Sequence, residues 1–124
     1  MAVSTPLTRQ IRPLASTDHA RGHIRVLASL TSVTDPGEAA WRERFHELAR
    51  SNASASKYFV VVIVSKETDE LVATGTVFLE PKFLRNLASA AHIEDIAVDK
   101  SMQGKGLGKI PVSYTHLRAH ETEA

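Results

Sequence analysis

The stretch that decides the fold is His92-Ile93-Glu94-Asp95-Ile96-Ala97-Val98, followed after Asp99–Met102 by Gln103-Gly104-Lys105-Gly106-Leu107-Gly108. The first part has the β-branched pattern of a strand; the glycine run after it predicts a turn that opens a helix. Such a turn is an anion site by construction. Glycines let main-chain N–H groups crowd toward an oxyanion, and a helix N-terminus adds its dipole. Lys105 and Lys109 add charge. Two familiar phosphate motifs fail. A Walker loop needs a Gly five residues before the Gly108-Lys109 pair and a Ser or Thr after it, where Gln103 and Ile110 stand. A dinucleotide fingerprint begun at Gly104 needs a Gly at Lys109, and it belongs after the first strand of a parallel βαβ unit.

Upstream, Tyr58–Val64 (YFVVVIV) is aromatic and β-branched throughout, as expected of a strand buried on both faces. Lys66–Glu70 (KETDE) is a polar turn, and Leu71–Glu80 (LVATGTVFLE) is the returning strand of a hairpin. Pro81–Ala91 connects it to His92–Val98. Further back, Asp35, Pro36 and Glu38 read as cap, first helical residue and capping-box partner of a helix burying Trp41, Phe45 and Leu48. Ser51–Ser56 is a small-residue loop. Ser16, Thr17 and Asp18 are N-cap candidates for an earlier helix with Ala20, Ile24, Leu27 and Leu30 on one face, broken at Thr31–Thr34. Gln10–Leu14 is a short strand that Pro13 confines to an edge. The order β-α-α-β-β-β-turn-α predicts an α/β (α+β) fold with a mixed, mostly antiparallel sheet.

Composition narrows the function. The 124 residues are 43% apolar, enough for one core, and the net charge of +1 argues against nucleic acid or an anionic membrane as partner. With no cysteine, a disulfide framework, a thiolate nucleophile and a Cys-based zinc site are excluded. Residues 1–9 read as a polar, disordered lead without a signal-peptide apolar core, and Tyr58–Val64 is far shorter than the ~20 residues of a membrane span. A cytoplasmic protein is the expectation. His19 and His23 lie four apart, but no third ligand accompanies them, so they read as two surface histidines and no metal is expected.

Gln103, Gly106 and Gly108 form a Gln-x-x-Gly-x-Gly turn after a strand that closes a meander. This resembles the pyrophosphate-binding signature of the GNAT N-acetyltransferases. With HIEDIAV, Ile11-Arg12-Pro13-Leu14, Val26–Thr31 (VLASLT) and Val72-Ala73-Thr74-Gly75-Thr76, residues 10–110 are similar to the eukaryotic glucosamine 6-phosphate N-acetyltransferases. The resemblance implies the N-terminal portion of the GNAT fold. It implies acetyl transfer from acetyl-CoA to the amine of D-glucosamine 6-phosphate, in UDP-N-acetylglucosamine biosynthesis, by a homodimer. A related acetyltransferase acting on a protein N-terminus or a polyamine, or an inactive coenzyme A-binding fragment, are the alternatives.

Site residues follow from the same resemblance. It implies that Ile96, Ala97 and Val98 meet the acetyl-pantetheine arm through their main chain, and that Gln103, Gly104, Lys105, Gly106, Leu107 and Gly108 hold the pyrophosphate. For the sugar phosphate it implies Thr31, Lys82, Phe83, Leu84, Arg85, Glu94, Asp95 and Ile96, the two cations suiting a phosphate. Acetylation needs a neutral amine and a proton acceptor, which Glu94 or Asp95 can supply. As neighbours on a strand they are expected to point to opposite faces, so only one reaches a given pocket by its side chain.

The end of the chain departs from this pattern. Pro111 falls inside the helix expected after the glycine turn, and the string PVSYTHLRAHET resembles a translated sequencing adaptor. The expectation is an N-acetyltransferase domain over 10–110, truncated before its C-terminal half, with a non-native tail over 111–124.

Overall fold

The computed structural model describes residues 8–51 and 57–104. The elements are β1 (Arg9–Pro13), α1 (His23–Leu27), α2 (Glu38–Ser51), β2 (Lys57–Ser65), β3 (Leu71–Pro81) and β4 (Ser89–Val98), followed by a 3-10 turn over Lys100–Met102. The four strands form one sheet in the order β1-β2-β3-β4, and every pairing is antiparallel. The helix expected after the glycine run, Lys105, Gly106, Leu107 and Gly108, and the segment 111–124 lie outside the described residues. No helix among the described residues is long and apolar enough to cross a membrane.

β2 is the centre of the core, as its β-branched composition predicts. Val61–Val64 are buried on both faces. Val62 and Val64 pack with Val26, Leu71, Ala97 and Leu14 on one side. Ile63 and Ala73 pack with Val72, Val98 and Met102 on the other. Among the described residues β1 pairs with β2 alone, so Pro13 sits on an edge strand, where its missing N–H disturbs no second ladder.

The first helix is much shorter than its sequence pattern suggests. Residues 16–22 are turns, and α1 begins only after Gly22, which adopts the left-handed region at φ 96°. Asp18 is not a helix cap. It is fully buried and receives both arms of Arg12, Nη1 to Oδ2 and Nη2 to Oδ1, each at 2.8 Å. It also accepts the Ala15 N–H at 2.7 Å. Burial pushes this carboxyl up. The Arg12 hydrogen bonds, the Ala15 N–H and the charges of Arg12 and Arg21 outweigh that and hold it below the ordinary value. Ala20 and Leu30, expected on the helix face, are exposed instead.

The second helix also starts later than expected. Asp35 Oδ1 accepts the Gly37 N–H at 2.9 Å, and Gly37, at φ 92°, precedes the first helical residue, Glu38. Glu38 makes no capping box; it pairs one turn ahead with Arg42 at 2.9 Å. Trp41 is buried and Phe45 and Leu48 are half-buried, the predicted inner face.

β4 starts at Ser89, three residues before the expected His92, and carries the irregularity that matters for function. Thr76 pairs with Glu94 and Thr74 with Ala97, so Gly75 alone stands opposite both Asp95 and Ile96. This is a β-bulge, with Asp95 in the left-handed region at φ 53°, which Asp enters more readily than most non-glycine residues. Between β3 and β4 the chain turns through Arg85, Asn86 and Leu87, all three at positive φ (53°, 62° and 67°).

Candidate active site

The bulge overturns the expectation that Glu94 and Asp95 face opposite ways. One extra residue in β4 breaks the period of two, so strict alternation stops at Asp95. Glu94 shares a face with its partner Thr76. Asp95 lines a cavity of about 190 Å³ on the same face, together with Thr76 and Tyr58. Both carboxylates act on the Tyr58 phenol. Burial pushes its pKa up first, and the charges of Asp95 and then Glu94 push it further, while a hydrogen bond with Thr76 opposes the shift.

The cavity lies between α1, α2 and the sheet. Leu27, Trp41, Phe45 and Leu48 supply apolar walls, and Arg44 stands on the α2 side. Trp41 and Phe45 stack at 5.8 Å with ring planes 14° apart. The back of the cavity is closed by a buried polar relay. Trp41 Nε1–H donates to His23 Nδ1 at 3.1 Å, and His23 Nε2 meets Thr74 Oγ1 at 3.3 Å. An indole N–H can only donate, so His23 Nδ1 is the acceptor and the proton sits on Nε2. Burial drives the His23 pKa down to about 4, against the raising charge of Asp18. His23 is thus a neutral, core histidine, which corrects its reading as a surface residue. His19, its sequence companion, lies outside the helix and pairs with Asp35 at 2.9 Å.

The remaining sequence-predicted residues divide into groups. Ile96 is half-buried at the bulge, Ala97 is in the core and Val98 packs on the opposite face, so their main chain is what they can offer a ligand. β4 has one sheet neighbour among the described residues, so alternate N–H and C=O groups point away from β3. Gln103 Nε2–H donates to Val98 O at 3.1 Å and ties the start of the glycine run to the end of β4. Gly104 has φ 83°, a glycine conformation. Asp99 accepts from Ser101 Oγ and from Arg25 Nη1, each at 2.5 Å, and anchors this junction to α1.

Thr31 is exposed and does not line the cavity. Lys82 pairs with Glu80 at 3.0 Å, and Phe83, Leu84 and Arg85 are exposed in the β3–β4 connection. That connection joins β4 at Ser89, six residues before Asp95, or roughly 20 Å along an extended strand. Within one chain these cations are therefore not brought to the Asp95 cavity. A second cavity, of about 350 Å³, lies beside Arg25 and Asp99 and contains none of the predicted substrate residues.

Tyr58, Thr76, His23 and Arg44 were not singled out as site residues. The two threonines at 74 and 76 were a signal, since a spacing of two puts a polar pair on one face of an apolar strand.

An antiparallel sheet whose bulged fourth strand leads into Gln103 and Gly104, with Asp95 on a cavity wall and Glu94 on the same face, is the arrangement of an acyltransferase of the GNAT architecture. Residues 23–114 match the acetyltransferase (GNAT) family, and the chain belongs to that family. Within it, the chain is 36% identical to a glucosamine 6-phosphate N-acetyltransferase of Arabidopsis thaliana, over 86% of this chain and 70% of that one. It is 33% identical to a probable glucosamine 6-phosphate N-acetyltransferase of Drosophila melanogaster, over 90% of this chain and 49% of that one. The chain thus spans 49% and 70% of the length of these two relatives. A crystal structure of glucosamine-6-phosphate N-acetyltransferase from Arabidopsis thaliana superposes with a TM-score of 0.84 at 33% identity, covering 93% of this chain and 76% of that one.

Proposed function

We propose that the protein transfers the acetyl group of acetyl-CoA to the amine of D-glucosamine 6-phosphate. The observation that carries this reading is the bulge at Asp95, which sets Asp95 on the cavity wall and leaves Glu94 on the same face. The amine needs an acceptor-only group to hold its ammonium and take a proton, and a carboxylate is that group. Acetyl-CoA supplies the thioester. The amine nitrogen bonds to the carbonyl carbon, the C–S bond breaks, and the thiolate leaves with a proton. Glu94 and Asp95 are the proton-accepting pair.

The outward main-chain groups of Ile96, Ala97 and Val98 suit the amides of the pantetheine arm. Gln103 and Gly104 begin the pyrophosphate turn, and Lys105, Gly106, Leu107 and Gly108 complete it. Ile96 sits beside the sugar next to Asp95, while Thr31, off the cavity wall, and Lys82, Phe83, Leu84 and Arg85 reach it from outside, the last four receiving its phosphate. Because Lys82 and Arg85 stand roughly 20 Å from Asp95 along β4, they suit the cavity of a second subunit. That supports a homodimer, which we place in the cytoplasm. Acetyl-CoA turnover by the 124-residue chain tests the reading, with glucosamine 6-phosphate and unphosphorylated glucosamine compared. Preference for the phosphate is expected. Equal rates would count against the sugar phosphate, and no turnover with either would overturn the activity.

A further inference from the structure

We propose that Tyr58 is an acceptor-binding residue of this site, its hydroxyl donating to a sugar hydroxyl next to the amine that Asp95 receives. This rests on the acetyl-transfer reading above and deepens it. Tyr58 lies opposite Phe78, and Thr76 lies one diagonal step away, opposite Glu94. The three residues Tyr58, Thr76 and Glu94 therefore form a polar track across β2, β3 and β4 that ends at the bulge. The neighbouring positions on this face of β2 are Val60, Val62 and Val64, so the track stands out from an apolar surface.

The ring leans on Phe78 at 6.4 Å between centroids, and the Thr76 side chain lies on the same cavity wall. The ring and Asp95 line the same cavity. Burial and the two carboxylates keep the phenol above its ordinary pKa, so it is a neutral O–H donor around neutral pH. With one hydrogen and two lone pairs, a phenol can donate to a ligand oxygen and accept from a neighbour at the same time. The division of labour is chemical. Asp95 only accepts, so it takes the ammonium; Tyr58 donates, so it takes an oxygen. In a 2-amino-2-deoxyhexose the groups flanking the amine are hydroxyls. Two carboxylates at this end also repel the phosphate, which fixes the sugar with its amine inward.

The chain has only two tyrosines, Tyr58 and Tyr114, which makes the test direct. The full 124-residue chain is labelled with 3-fluorotyrosine, and the two fluorine resonances are assigned with Tyr114→Phe. Glucosamine 6-phosphate is then titrated in, and turnover is measured in parallel for the unlabelled chain and for Tyr58→Phe. The Tyr58 resonance is expected to shift saturably with the sugar phosphate. Tyr58→Phe is expected to raise KM roughly 3–10-fold with kcat within about twofold, as for loss of one neutral hydrogen bond made equally in ground and transition states. A saturable shift without turnover supports Tyr58 and counts against the activity. Turnover with an unmoved Tyr58 resonance and an unchanged KM overturns Tyr58 and leaves the activity standing. No shift and no turnover overturns both. A merely structural tyrosine would lower the melting point of Tyr58→Phe without any ligand-dependent shift.

Discussion

The two sides of the sheet are finished in opposite ways. On the β1 side Asp18 is locked in place by Arg12 and the Ala15 N–H, and over the middle of the sheet His23 is locked by Trp41 and Thr74. On the β4 side, the chain leaves Phe83, Leu84 and Leu87 in the open at 92%, 76% and 71% exposure, and it passes through four non-glycine residues at positive φ. The first side is built to hold the fold. The second carries the bulge, the carboxylates and the start of the glycine turn, and gives up regularity to present them. The contrast predicts that stability resides on the β1 side and recognition on the β4 side.

The largest effect should come from Asp18→Ala. Removing the carboxylate strands the Arg12 guanidinium and the Ala15 N–H in a site where Asp18 was fully buried. Breaking a buried pair from one side costs about 3–5 kcal/mol, to be read as a lower urea midpoint at unchanged m-value. A loss under about 1 kcal/mol would break the comparison, because the β1 side would then be no more load-carrying than a surface pair.

Next is the acid dependence set by His23. Unfolded, its pKa is that of a free histidine, about 6.5; folded, burial lowers it to about 4. Between those values the unfolded chain binds more protons, so stability rises with pH. The contribution is complete above pH 6.5, falls as the pH drops, and is lost by pH 4, for a total of roughly 3 kcal/mol. Asp18, whose folded pKa is depressed, acts lower, below its ordinary 3.8. Urea titrations between pH 4 and 7 should show the slope, and His23→Phe should flatten it. An unchanged slope in the variant would mean that His23 is not the buried neutral group.

This contrast also explains what could be read from sequence. β2, β3 and the Trp41–Phe45–Leu48 face were legible because each follows one period over many residues. Asp18 looked like a cap because capping and ion pairing use the same carboxylate, and only the fold brings Arg12 to it. The bulge was illegible for a similar reason. His92–Val98 has an unbroken strand composition, and the extra residue shows only when β4 is laid against Gly75. The sequence therefore marks Glu94 and Asp95 as residues but not their common orientation. Lys82 and Arg85 carry the charge that suits a phosphate, which says nothing about their roughly 20 Å displacement along β4.

A smaller and opposite effect is expected in the β3–β4 connection. Leu87 holds φ 67° with its side chain largely exposed. A left-handed L-residue costs about 1–2 kcal/mol, and glycine returns part of that gain through its greater unfolded entropy. Leu87→Gly should therefore stabilise the chain by roughly 0.5–1 kcal/mol, seen as a higher urea midpoint. A destabilisation would show that the leucine is held by a contact, which would make the β4 side less open than it looks.

The smallest effect is expected at Phe83. A phenylalanine at 92% exposure has almost no burial to lose, so Phe83→Ser should change stability by less than about 0.5 kcal/mol at low protein concentration. The informative step is to raise the concentration. If the connection serves a second subunit, burying Phe83 there stabilises the parent chain by mass action, and its midpoint climbs with concentration. The serine variant loses that apolar area and should climb less. Parallel curves for parent and variant at all concentrations would mean that Phe83 stays in solvent throughout. The exposed apolar edge would then belong to the lone chain, and Lys82 and Arg85 would have no second cavity to serve.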